Sequence, residues 1–351
     1  MSRKLITIST IMTLMSTSVI ADVPNVAADI APIHSLVSRV MDGVGAPKLI
    51  VQSGASPHGY RLRPSEAKAL QDADHVFWMG EELTPWLDSA IGTLASKASV
   101  TTLLDQQGVI LHDFREGALF EAHDHSAHGD DDHDDHDDHD DHDDHDDHDD
   151  HKDHDDHDDH GDHDDHKDHD DHDDHDDHDD HGSHDPHAWL SPENAKLWLN
   201  IIASKLSVSD PENAATYFMN AAAGQAEIKA MIAEVKATLK PVQGGKFVVF
   251  HDAYQYFEND FDFYASGAIS LGDSSDPSPA RIEKVQKRIR DEGIQCVLAE
   301  PQFKKGLVAT VMEGSDATAS VIDPLGTELE TGPKLYTRLI KNMAKTLRNC
   351  L

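Results

Sequence analysis

Residues 63–104 read "RPSEAKALQDADHVFWMGEELTPWLDSAIGTLASKASVTTLL". Pro64 and Ser65 open a helical pattern, and Asp74 to Met79 form a short apolar run, which marks a buried strand. "EELTPWLDSAIGTL" begins a second helix and "SVTTLL" a second strand. Helices alternating with short buried strands predict an α/β domain with a mainly parallel sheet. Upstream, "PNVAADIAPIHSLVSRVMDG" reads as strand then amphipathic helix, and "KLIVQSG" as another strand. The same rhythm returns downstream in "KFVVF", "AISL", "SPARIEKVQKRIRDEG", "CVLAE", a helix from Phe303 and "ASVID", with a final amphipathic helix from about Lys334 to Leu347. Between the two series, "DPENAATYFMNAAAGQAEIKAMIAEVKATLK" predicts one long helix, capped by Asp210 with Pro211 in its first turn.

These readings divide the 351 residues into a signal peptide (1–21), an N-terminal α/β lobe (22–208), a linker helix (209–240) and a C-terminal α/β lobe (241–351). The leader has basic Arg3 and Lys4, an apolar run of about 15 residues and small residues ending at Ala21, the pattern of an exported protein. No Cys near the cleavage point offers a lipid attachment site. Cys296 and Cys350 are an even pair in an oxidising compartment. Either they bridge, closing a long loop worth roughly 4 kcal/mol in the chain-entropy model, or they are two buried thiols.

The first lobe carries an insert at 122–185. It holds 34 Asp and two Lys, and so −32 of the formal −38 charge, leaving −6 for the rest. No basic patch supports nucleic-acid binding. From His133 to His187 a histidine falls at every third position, and 22 of the 27 histidines lie between His123 and His187. A period of three winds histidines around a helix instead of lining one face. Without apolar residues and with high like charge, the tract reads as disordered. Ordering each residue around a metal costs about 1–2 kcal/mol, so it is expected to bind many cations, each more weakly than a folded cleft would. A tether of this length, with a spread of roughly 40 Å or more, would serve as an accessory that collects or buffers metal; the alternative is a solvated spacer.

Outside the tract, single histidines occupy loops where open α/β sheets bind ligands. His58 lies in "SGASPHGYRLRPS", His187 in "HDPHAWLSPENA" and His251 ends the strand in "VVFHDAYQYFE"; Asp323 in "SVIDPLG" sits similarly. Three imidazoles and a carboxylate suit a four-coordinate zinc site. The spacings of 129 and 64 residues form no local zinc motif, and neither HExxH nor CxxC occurs. His34, His75 and His112 read as structural or surface residues.

The ordered set "ASPHGYRLRPS", the insert running into "DPHAWLSPENA", "FHDAYQYF", "DPSPARI", "AEPQF" and "IDPLG" resembles the ZnuA family, the periplasmic zinc-binding receptors of bacterial high-affinity ABC zinc importers. The resemblance covers nearly the whole mature chain. It implies two lobes joined by a helix, Zn2+ as the transported ligand held between them, a monomeric soluble receptor, and as partner an inner-membrane ABC permease with its cytoplasmic ATPase. The family's metal ligands fall on His58, His187 and His251. Asp323 matches a carboxylate that closes the site in related receptors. Some zinc receptors place a glutamate ligand before the first histidine; here that residue is Pro57, which leaves Asp323 or water for the fourth position. The Cys296–Cys350 pair matches a disulfide found in some of these receptors. Similar manganese receptors carry a glutamate where His251 stands, and imidazole favours zinc over the harder ion. The competing readings are an exported zinc store or donor, a manganese receptor, and a zinc hydrolase, for which Glu300 is the candidate base; the resemblance implies no enzyme.

Overall fold

Local pattern decides the element order. The computed structural model describes residues 23–115, 120, 184–270, 272, 277–303 and 305–351. The expected signal peptide and nearly all of the His/Asp tract lie outside these residues. β1 (Val26–Ala28), α1 (Ala31–Val40), β2 (Lys48–Leu49), α2 (Pro64–Gln71), β3 (His75–Trp78), α3 (Pro85–Leu94) and β4 (Ser99–Thr102) build one sheet, in the order β2-β1-β3-β4, parallel throughout. After α4 (Pro192–Ser209) and α5 (Ala214–Leu239) come β5 (Phe247–His251), α6 (Gln255–Phe261), β6 (Ala268–Ser270), α7 (Pro279–Glu292), β7 (Cys296–Ala299), α8 (Lys305–Met312) and β8 (Thr318–Val321). Their order, β6-β5-β7-β8, repeats that of the first sheet, again all parallel. Proline in the first turn starts α1, α2, α3, α4 and α7, where its missing N–H has no helical partner to lose.

β1, β3 and β5 are buried along their whole length because both sheet faces are covered. On the first sheet's outer face, Ile50, Leu70, Val76, Leu87 and Ile91 form a cluster under α2 and α3. On the second, Val248, Ile269, Val285, Ile289 and Val311 do the same under α7 and α8. The inner faces of both sheets share one large core with α1, α4, α5 and α9 (Leu335–Cys350). α5 has 26 residues and so runs about 39 Å. Its buried Tyr217, Ala221, Gly224, Ile228, Met231, Val235 and Leu239 recur at three and four. A Cβ at Gly224 would lie 2.9 Å from Leu199 Cδ1, so glycine is what lets α5 approach α4.

The long helix starts three residues later than Pro211 suggests. Asp210 Oδ2 accepts from Asn213 Nδ2 at 2.8 Å and from Tyr217 Oη at 2.7 Å. The carboxylate thus closes a turn between α4 and α5, and Asn213 becomes the residue before the helix. α9 buries Leu335, Tyr336, Leu339, Ile340, Met343, Ala344 and Leu347, each large apolar side chain contributing about 1.5–3 kcal/mol. It packs along α5 and against α1. Ser35 Oγ fixes its start, donating to Gly332 O at 2.7 Å and accepting from Tyr336 N at 3.0 Å. At its other end Cys350 is disulfide-bonded to Cys296 on β7, which decides between bridge and free thiols. Among the described residues no helix is long and apolar enough to cross a membrane.

Candidate metal centre

Three chain segments converge at the carboxyl ends of the two sheets. The turn carrying His58 lies between β2 and α2. Trp86 Nε1 donates to Pro57 O at 2.7 Å, and Tyr60 Oη donates to Glu66 Oε1 at 2.8 Å. The turn is thereby pinned to α3 and α2, while His58 itself stays half-buried. His187 precedes a 3-10 turn, Ala188–Leu190, that runs into α4, where Ser191 caps the helix by accepting from Asn194 N. Trp189 Nε1 donates to Pro324 O at 2.8 Å and holds this turn in place. His251 is the last residue of β5, with the Phe303 ring 5.4 Å from its own.

The side chains of His58, His187 and His251 each offer a nitrogen, and these atoms lie within 4.8 Å of one another. His187 and His251 are buried. Their outward nitrogens are organised from behind. His187 Nδ1 is 2.6 Å from Asp185 Oδ1, which also accepts from His187 N at 3.0 Å. His251 Nδ1 is 2.6 Å from Glu300 Oε1, and Gln302 Nε2 donates to the other carboxylate oxygen at 2.8 Å. Each carboxylate fixes the proton on Nδ1 and turns the Nε2 lone pair toward the cluster, the usual arrangement behind a metal-bound histidine. The two Nε2 atoms are 3.4 Å apart. Two nitrogens about 2.0–2.1 Å from one tetrahedral zinc keep a separation of about 3.3–3.4 Å. Burial pushes the Asp185 carboxyl up to about 6, opposed by the His187 N–H and the charge of Arg115.

Asp323 follows β8, as the sequence suggests, but the described residues do not bring it into the cluster. Its Oδ1 accepts from Leu325 N at 3.1 Å and Gly326 N at 2.9 Å, so the carboxylate is turned onto its own loop. His34 contacts Pro47 O at 3.2 Å, His75 contacts Ser209 Oγ at 2.6 Å, and His112 contacts Asn259 Nδ2 at 3.0 Å. Glu300, considered above as a base, backs His251. Sequence reasoning missed Asp185 as a partner, although its position two residues before His187 was a usable signal.

The family model described as zinc-uptake complex component A, periplasmic, matches residues 26–350. The chain belongs to the ZnuA family. It is 47% identical to the high-affinity zinc uptake system protein ZnuA of Brucella abortus, over 93% of this chain and 91% of that protein. The ZnuA of Paracoccus denitrificans is 44% identical over 94% and 93%, and that of Haemophilus influenzae 35% over 99% of both. A crystal structure of ZnuA superposes with a TM-score of 0.66 at 19% identity, covering 94% of this chain and 99% of the other. A Pseudomonas aeruginosa binding protein, FpvC, in complex with Mn2+, gives 0.66 at 16%, over 93% and 97%. These distant structures share the fold with this ZnuA-family chain.

Proposed function

We propose that this chain is the receptor of an ABC zinc importer, capturing Zn2+ in the periplasm and delivering it to an inner-membrane permease driven by a cytoplasmic ATPase. His58, His187 and His251 are the ligands, with Asp323 or a water molecule in the fourth position. The observation that carries this reading is the 3.4 Å approach of two buried Nε2 atoms, each backed through Nδ1 by a carboxylate. A third imidazole beside them favours zinc over manganese, and the relatives named for zinc uptake support the same cargo. The signal peptide exports a soluble monomer with an N-terminal lobe (22–208), a linker helix (209–240) and a C-terminal lobe (241–351). The His/Asp tract gathers zinc at weaker sites. The test is zinc titration against a competing chelator, with and without the tract. A receptor keeps one tight site when the tract is removed. Loss of all tight binding on its removal would make the protein a zinc store instead.

A further inference from the structure

The segments that flank the tract, 110–115 and 184–187, meet beside the histidine cluster. Asp113 and His184 form an antiparallel bridge, with His184 Nδ1 2.8 Å from Asp113 Oδ1. Asp185 N donates to His112 O at 2.8 Å. Both segments are fastened to α6, since Tyr256 Oη accepts from His112 N at 3.1 Å and donates to Asp185 O at 2.7 Å. On its other side the first strip is held by α4. Asn194 Oδ1 accepts from Ile110 N at 2.8 Å, and Asn194 Nδ2 donates to Ile110 O at 2.9 Å.

Arg115, in the first of these segments, lies between two carboxylates from the second series of elements. Its Nε lies 3.0 Å from each oxygen of Asp252, its Nη2 also reaches Asp252 Oδ1, and its Nη1 donates to Glu258 Oε2 at 2.6 Å. The Phe120 ring covers the guanidinium, 3.5 Å from Cζ to the ring centre. Asp252 and Glu258 are only 7% and 1% exposed. Two buried carboxylates this close require a cation, and a planar fork fixes direction as well as charge.

We propose that Arg115 is a positioning residue for the metal centre, setting the separation of His187 and His251 through the segment that carries it. Asp252 is covalently next to His251, while His112 and Asp113 hold Asp185 and His184, two and three residues before His187. The guanidinium therefore closes a circuit whose two ends are the imidazoles that face each other. This inference rests on the reading of the three histidines as zinc ligands.

Three variants of the full chain test it, with the tightest zinc site measured by chelator competition and the site geometry read from the visible bands of one equivalent of cobalt(II). R115A alone strands two buried carboxylates and can unfold the protein. R115M/D252N/E258Q removes all three charges together, and R115K keeps the charge without the fork. The triple variant is expected to fold with the parent circular dichroism, bind zinc at least about fivefold more weakly and show altered cobalt bands. R115K is expected to fall between it and the parent. Parent affinity and parent cobalt bands in either folded variant overturn the proposal. H58A, measured alongside, separates the two levels. Unchanged affinity in H58A overturns the zinc-ligand reading itself, whereas a loss there beside an unaffected triple variant overturns only the role of Arg115.

Discussion

The two sheets have the same strand order and opposite equipment at their carboxyl ends. In the first, Asp29 follows β1 and is fully buried, its Oδ1 accepting from Ile30 N and its Oδ2 from Met79 N, both at 2.7 Å. The carboxylate is spent on sealing β1 to the chain leaving β3. In the second sheet the end of β5 presents His251, and the chain leaving β7 presents Glu300 behind it. The first sheet supplies its histidine from the turn after β2, half-buried, in a turn that Trp86 ties to α3. A strand end thus carries His251, and a turn carries His58. The repeated fold sets where a side chain can stand at the carboxyl edge of a sheet, while the residues at the strand ends set what it meets there.

Removing one histidine from each side tests this contrast most directly. His251→Ala is expected to weaken the tightest zinc site by at least about 100-fold and His58→Ala by about tenfold, since the first removes a buried imidazole backed by a carboxylate and the second a half-buried one. Equal losses in chelator competition would dissolve the distinction. Next in size, Glu300→Gln leaves His251 in place without its anionic partner. A loss of about 10–100-fold is expected, and an unchanged dissociation constant would show that the strand alone orients the imidazole.

A smaller effect tests the sealed side. Burial pushes the Asp29 carboxyl up from its ordinary 3.8 to about 7. Between those values the folded state binds a proton that the unfolded chain has released. The contribution of Asp29 to stability is therefore full below about pH 4 and is lost as pH rises through about 7. Thermal unfolding of the metal-free protein across that window should show a flatter pH dependence in Asp29→Asn than in the parent. Parallel curves would place the dependence elsewhere. The smallest expected change follows deletion of residues 124–182, which contain no apolar residue larger than alanine. The tightest dissociation constant should move by less than about threefold while bound zinc falls from several ions to about one, because no apolar burial is removed. Calorimetry on both forms reads both quantities.

The α/β alternation was legible because 63–104 and 246–321 switch repeatedly between strand and helix periods. The three histidines were legible because one ends a strand and the other two stand in loops just outside regular elements. Their partners were not. Asp185 is the last of 34 aspartates in one tract, so composition hides it. Glu300 reaches His251 only through the parallel pairing of β5 with β7, 49 residues apart, and Arg115 lies 137 residues from Asp252. The stripe on α9 announced a buried face without saying what would cover it, and its packing on α1 and α5 depends on the chain crossing back after β8. The strand expected in "KLIVQSG" is short: Lys48 and Leu49 lie opposite β1, and Ile50 N and Val51 N still donate to Ala28 O at 2.9 Å and Asp29 O at 2.8 Å before the chain turns toward His58.

That return of α9 has a mechanical consequence. The chain passes from the first sheet to the second along α5 and comes back along α9, and both helices share the core that touches both sheets. The Cys296–Cys350 bond rivets the far end of α9 to the middle of the second sheet. Swinging one sheet away from the other cannot be absorbed by a flexible joint. It has to shear two packed helices past each other, and close-packed side chains resist sliding beyond small steps. Together the two helices and the bond act as a double beam that stiffens the molecule against hinge motion between its sheets.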